Sequence, residues 1–381
     1  MFRSLTVVLP ALVAVGCSCN QDPDFANQKD PLQGDEPADY GAWLSMDTAP
    51  DGVRLTIAFY DREFGAVGFA VGEPKKNGVD WAFERVHGYP ASDGLDPGDF
   101  GIYTTHAVSP DGTVWAAWSK VGATGLWVSQ RLGGVNSWTE AEEVDTDGGL
   151  WADLAVTADG VPVISHATAD GKLRVTRRTS EGTWSTDEPY SSSDFDLPAD
   201  TAGNVDIREA SVTHTRIVID DGAEHVAFFD AAEMSLFLLE GTEGSYSETL
   251  VDSEGDVGAW PSIWVDGGEM KIAYHDVGNQ TLKLATRSGG AFATETIDDG
   301  DFRGADTEIY SVAGVASVLY FDGYNNDMRL ATNDGGWTLS NVGGSGEAVG
   351  FHNEVAKAGD SWWAASYNYT TRKLFVTKIG S

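Results

Sequence analysis

The side chains best suited to gripping a ligand are carboxylates, imidazoles and large aromatics that fall near one another. Tyr103 lies near His106, Trp151 near Asp153, Asp306 near Glu308 and His352 near Glu354, with Trp260 and Asp276 completing the set. An acid beside an accessible ring can stack a sugar or hold a cation, and an acidic mouth can take a basic partner segment. The repeated aspartates Asp61, Asp230, Asp276 and Asp322 also admit a structural role, because a carboxylate closing a strand accepts N–H groups of the next turn. Oxygen donors for calcium occur in Asp145-Thr146-Asp147-Gly148 and Asp298-Asp299-Gly300-Asp301. Neither run continues to the distal glutamate of a full calcium loop, and solvated turns are the simpler reading. No cofactor is expected, and calcium is the one ion considered. The histidines share no metal-binding spacing, and the only cysteines, Cys17 and Cys19, leave the body without a disulfide, thiolate zinc cluster or cysteine nucleophile. No Gly-x-Ser-x-Gly elbow, phosphate loop or dinucleotide fingerprint is present.

The elements that must position these residues are read from a repeat. A strand ending in an aromatic and then an aspartate occurs at Ile57–Asp61, Val226–Asp230, Ile272–Asp276 and Val318–Asp322, with weaker copies ending near Lys120, Thr168 and Asn368. A second alternating strand follows each, then a glycine-containing turn and an aromatic such as Trp81, Trp138, Trp184, Tyr246, Phe292 or Trp337. An Asp-Gly type turn lies nine residues before each marker, as at Asp111-Gly112 and Asp266-Gly267, so a further strand must precede it. Four short strands at period two form a meander that cannot bury both its faces alone, and radial packing of several such sheets solves this. The fold expected is an all-β propeller of seven blades, each a four-stranded antiparallel sheet with strands a to d from the centre outwards, over 40–381. Blade seven ends near Ile379 with no sequence left for a d strand, which leaves its closure open.

Two spacings are long: 39 residues from Trp81 to Lys120 and 46 from Trp184 to Asp230. The extra residues, His87–Phe100 and Ser191–Glu209, fall between the d strand of one blade and the a strand of the next. Such connections share a face with the b–c loops. On that face the starts of the a strands should bring together Tyr103, His106, Trp151, Asp153, Arg208, Glu209, Trp260, Asp306, Glu308, His352 and Glu354, beside the b-strand ends such as Asp276.

Aromatic-led d strands after glycine-containing turns, with Asp-Gly a–b turns, resemble the degenerate BNR or sialidase-like propeller repeats of bacterial surface proteins. The turns Thr179-Ser180-Glu181-Gly182-Thr183-Trp184 and Asn333-Asp334-Gly335-Gly336-Trp337 keep the aromatic of the sialidase Asp-box but not the whole box. The resemblance therefore implies the fold without implying the enzyme. A glycosidase or lyase on this scaffold is the alternative. Sialidase chemistry needs three arginines around a substrate carboxylate, a tyrosine nucleophile and a carboxylate partner. Arg62, Arg208 and Arg303, with Glu209 and Tyr310, are the residues that version would use.

The first sixteen residues read as a lipoprotein signal peptide, with a short apolar run and then Ala14-Val15-Gly16-Cys17. Cys17 would carry the lipid, and the polar 17–39 would tether the propeller to a bacterial envelope, on the outer membrane or cell surface. Acidic residues number 59 against 24 basic, a net charge of −35, spread over the repeats. Such a charge repels nucleic acid and anionic membrane surfaces, so contact with a membrane is expected only through the anchor. The chain is thus expected to be a monomeric binding module using one face of the propeller, with a protein or glycan ligand.

Overall fold

In a computed structural model, which describes residues 37–76, 78–90, 97–192, 211–344 and 346–380, the chain is a seven-bladed β-propeller. Cys17, Arg208 and Glu209 lie outside the described residues. Six blades are four-stranded antiparallel meanders in strict sequence order, and the seventh has three strands. The innermost strands are Tyr40–Thr48, Phe100–Val108, Leu150–Val156, Val212–Asp220, Val257–Asp266, Arg303–Val312 and Val349–Ala358. Among the described residues no helix is long and apolar enough to cross a membrane.

The apolar clusters show why the blades associate. One joins Leu236, Leu238 and Val251 of blade four to Ile263, Ile272 and Tyr274 of blade five. The next joins Leu282, Leu284 and Ile297 of blade five to Ile309, Val318 and Tyr320 of blade six. The core therefore sits in the seams between blades, as expected for sheets that are apolar on both faces.

Blade seven is three-stranded, Val349–Ala358, Ser361–Asn368 and Lys373–Gly380, in place of the four expected of every blade. Blade one supplies all four of its own strands, so the described residues share no blade between the two ends of the chain. The ring closes through packing and hydrogen bonds. Tyr40 N donates to Arg372 O at 3.1 Å, Thr48 Oγ1 to Lys357 O at 2.8 Å, and Tyr367 Oη to Asp39 at 2.7 Å. Leu44, Met46 and Ile57 of blade one share an apolar cluster with Ala356, Trp363 and Ala365 of blade seven.

The feature that positions the site is a bulge repeated in every a strand. Register against the b strand breaks between Ala42 and Ser45, Ile102 and Thr105, Thr213 and Arg216, Ala259 and Ser262, Ala305 and Glu308, and Phe351 and Glu354. In blade three the break lies between the partners of Asp153 and Leu150. At each bulge one residue is left-handed: Trp43, Tyr103, Trp151, His214, Trp260, Asp306 and His352, all with φ between 47° and 54°. A glycine stands two residues earlier in six blades. At Gly258 and Gly304, with φ of 115° and 97°, an added Cβ would lie 2.8 and 2.7 Å from the Cα of Leu236 and Leu282 in the preceding blade. Only glycine tolerates both that backbone and that approach.

Candidate functional site: the collar of the central channel

The seven left-handed residues turn their side chains into the channel where the a strands begin. They line a cavity of about 350 Å3, bounded more deeply by Ser45, Thr105, Arg216, Asn353 and Glu354. Six of the seven are aromatic or imidazole rings, in contact around the axis. Centroid separations are 4.5 Å for His352–Trp43, 4.7 Å for Trp43–Tyr103, 4.8 Å for Tyr103–Trp151, 4.0 Å for Trp151–His214 and 4.7 Å for His214–Trp260. Asp306 interrupts the collar between Trp260 and His352. Burial holds the His214 and His352 imidazoles down at about 3, so both are neutral near pH 7.

Two residues beyond each bulge is a polar layer: Ser45, Thr105, Asp153, Arg216, Ser262, Glu308 and Glu354. Some of these side chains tie neighbouring blades together. Ser45 Oγ accepts from His106 N at 3.2 Å, Thr105 Oγ1 from Leu154 N at 3.1 Å and Asp153 Oδ2 from Ile217 N at 2.8 Å, each reaching into the next blade. Glu354 likewise accepts from the backbone of Met46. The a strand is the edge of its sheet, and these side chains take up N–H groups that no neighbouring strand can pair.

Arg216 spans the channel from blade four. Its guanidinium lies 2.9 Å from Glu354, 3.5 Å from Asp153 and 3.7 Å from Glu308, which belong to blades seven, three and six. The side chain lines the cavity and keeps 29% of its surface accessible. One cation is too few for these acids. Burial pushes the Asp306 carboxyl up to about 7, moderated by the backbone N–H of His352 and the charge of Arg216. Burial and the neighbouring Glu354 push Glu308 well above the carboxylate range, and Glu354 is raised by burial and by the charge of Asp153.

Of the residues expected to bind ligand, Tyr103, Trp151, Trp260, Asp306 and His352 are in the collar, while Asp153 and Glu308 face Arg216 beneath it. The other two lie elsewhere. His106 is one position too far along its strand and turns into the seam between blades one and two. There its ring nitrogens sit 3.0 Å from Ser45 Oγ and 2.9 Å from Thr56 Oγ1, and burial holds it at about 3. Asp276 is a turn cap at the end of its b strand, accepting from Asn279 N at 2.8 Å and Asn279 Nδ2 at 3.0 Å.

The residues of the sialidase version are dispersed among the described residues. Arg62 lies against Tyr367 Oη at 3.4 Å where blades one and seven meet. Arg303 pairs with Asp322 and lies 3.5 Å from Asp298 between blades five and six. Tyr310 is buried beside Trp362, at 4.8 Å, between blades six and seven. The first carboxylate of each run considered for calcium is engaged by arginine: Asp145 by Arg174 at 3.0 Å and Asp298 by Arg329 at 3.0 Å. Among the described residues no group of three or more His, Cys, Asp and Glu is arranged to hold a metal ion.

Trp43, His214 and Arg216 were not among the residues singled out from sequence, although a signal existed for the first two. His214, Trp260, Asp306 and His352 stand at one interval of 46 residues, and Gly41-Ala42-Trp43 repeats the Gly-x-aromatic pattern of Gly101-Ile102-Tyr103 and Gly258-Ala259-Trp260. Blade four hides its copy because Val212 replaces the glycine. Its a strand also begins at Val212, beyond the Arg208 and Glu209 expected to open it.

No family model matches the chain, and no curated protein matches it. Among solved structures it is similar to the polysaccharide lyase Uly1, with a TM-score of 0.53 and 10% identity over 86% of this chain and 88% of that one. It is also similar to the Hadza microbial sialidase Hz136, with a TM-score of 0.50 and 14% identity over 75% of this chain and 64% of that one. The chain thus spans under two thirds of that sialidase. A fucose-binding lectin of Aleuria aurantia, solved with α-methyl-L-fucoside, follows at a TM-score of 0.49 and 11% identity, over 81% of this chain and 99% of that one. At such identities what is shared with the lyase and the sialidase is the fold alone.

Proposed function

We propose that this chain is a bacterial envelope lipoprotein, anchored through Cys17, whose propeller binds a small saccharide in the collar end of its channel. The observation that carries the reading is the collar itself, a cavity ringed by four indole or phenol side chains and two neutral imidazoles. Aromatic faces stack on the C–H faces of sugars, and polar groups beneath them fix orientation. Two propellers of similar fold, the lyase and the sialidase, carry names that refer to carbohydrate. Binding without bond cleavage is favoured because Glu354, which lines the cavity, and Asp153 already hold Arg216 and the backbone of the next blade.

The test is a thermal-shift series on the full chain in detergent, against mono- and oligosaccharides of one to four rings. A ligand of the native state raises Tm as its concentration passes Kd. At least one saccharide should do so for the native chain and fail to do so for Trp260→Ala. A flat response across the series overturns the saccharide reading. The anchor is tested by intact mass: a lipid adduct on a chain beginning at Cys17 is expected, and an unmodified Cys17 overturns it.

A further inference from the structure

Resting on the saccharide reading but not confined to it, the geometry points to the chemical class of the ligand. We propose that the channel takes an organic ammonium group, seated within the collar of Trp43, Trp151 and Trp260 and above Asp306, Glu308 and Glu354.

Three observations converge. First, ring faces packed around one cavity are the surroundings in which a desolvated ammonium gains most from aromatic quadrupoles. Second, Asp153, Asp306, Glu308 and Glu354 face one cation, Arg216, so with all four ionised these acids would leave three negative charges uncompensated (four minus one). An anionic sugar would be repelled there, whereas an ammonium supplies the missing countercharge. Third, lining residues that are 92–99% buried present polar atoms with no hydrogen-bond partner: Trp151 Nε1, His214 Nε2 and Asn353 Oδ1. A free amide oxygen accepts from an N–H or O–H donor, and a free indole N–H requires an acceptor on the ligand. An amine and a hydroxyl on one small molecule would satisfy both.

A pH dependence follows. The groups facing the site are Asp153 on blade three, His214 and Arg216 on blade four, Asp306 and Glu308 on blade six, and His352 and Glu354 on blade seven. Tyr103, His275 and Arg62 border them. The imidazoles His214 and His352 titrate far below neutrality and do not compete. With the channel empty, burial keeps protons on the raised carboxyls, and an entering ammonium displaces them. Binding therefore releases protons and strengthens as pH rises from 6 to 8.

The experiment is titration calorimetry on the full chain with two matched pairs: choline against 3,3-dimethylbutan-1-ol, and glucosamine against glucose. Each pair keeps its frame and changes the charged nitrogen. The expected result is binding of choline at least tenfold tighter than its neutral isostere, at least threefold tighter at pH 8 than at pH 6, and at least tenfold weaker in Asp306→Asn. Asp276→Asn, outside the channel, should bind as the native chain does. Glucosamine bound in preference to glucose sustains both the ammonium and the saccharide readings. Choline bound with neither sugar bound sustains the ammonium reading and removes the saccharide. Glucose bound as tightly as glucosamine, with choline no better than its isostere, overturns the ammonium reading and leaves the saccharide. Binding of none of the four overturns both. If Asp306→Asn proves unfolded by its melting curve, Trp260→Ala takes its place with the same expected loss.

Discussion

Asp276 and Asp306 are thirty residues apart, lie toward the same end of the propeller, and look equally promising in the sequence. Their surroundings differ sharply. Asp276 closes a b strand, and Asn279 occupies both its oxygens. Asp322, one repeat later, does the same with Asn325 at 2.9 Å for each bond. Asp230 caps Ala232 N at 2.8 Å and also receives Tyr190 Oη at 2.6 Å. Asp306 instead stands at a position held by rings in the other blades, with one backbone N–H and a carboxyl raised to about 7. The chemistry that recurs unchanged from blade to blade is scaffold. The site lies where the backbone recurs and the side chains vary, running Trp, Tyr, Trp, His, Trp, Asp, His at one left-handed position.

The largest effect is expected from an attack on a scaffold carboxylate. Asp298 ends the d strand of blade five and receives Tyr320 Oη at 2.6 Å and Arg329 at 3.0 Å from blade six, with Arg303 at 3.5 Å. Asp252 has the same role in the preceding blade, for Tyr274 and Lys283, each at 2.5 Å. Asp298→Ala takes the acceptor from a buried phenol and leaves two guanidinium groups to share Asp322 alone. A loss of about 3–5 kcal/mol is expected in urea denaturation. A loss below about 1 kcal/mol would show that the seam pairs are ornamental and that recurrence does not mark scaffold.

Arg216→Met probes the channel in the same terms and should cost less, because the channel acids can take up protons. At pH 8 the variant leaves Asp153, Glu308 and Glu354 without a cation, and about 2–3 kcal/mol should be lost. At lower pH the raised carboxyls of Glu308 and Glu354 take up protons more readily, so the loss should be smaller at pH 5 than at pH 8. Equal losses at both values would mean that Arg216 acts through packing alone.

The architecture was legible because its signals are local and repeated: period-two strands, Asp-Gly turns and a marker recurring every 46 residues from Asp230 onward. The collar was only partly legible. Tyr103, Trp151, Trp260, Asp306 and His352 could be placed at strand starts, yet a place near a strand start does not say which face a side chain takes: His106, three residues past the left-handed Tyr103, turns into the seam. Arg216 could not be reached by such reasoning, since its contacts cross the axis to blades far away in sequence. The saturation of Asp276 was equally hidden, because Asn279 as its partner is a fact of turn geometry.

The smallest effects should come from neutralising the two aspartates themselves. Asp306 has a folded-state pKa near 7 against about 3.8 unfolded, so the stability it contributes is present below about pH 4 and is lost as pH rises through 7. Asp306→Asn should therefore overtake the native chain progressively between those values and level off above them. Water in the channel screens some of the effect, and a gain of about 1–3 kcal/mol at pH 8 is expected from denaturation curves. Asp276→Asn should behave in the opposite way. The amide oxygen still accepts from Asn279 N, but the bond from Asn279 Nδ2 loses its charged acceptor, so about 0.5–1 kcal/mol should be lost. The gain of Asp306→Asn, by contrast, should grow as pH rises to about 7 and level off above it. Parallel curves for the two variants would mean that the collar aspartate is one more turn cap, and would take with them the case for a ligand-ready channel.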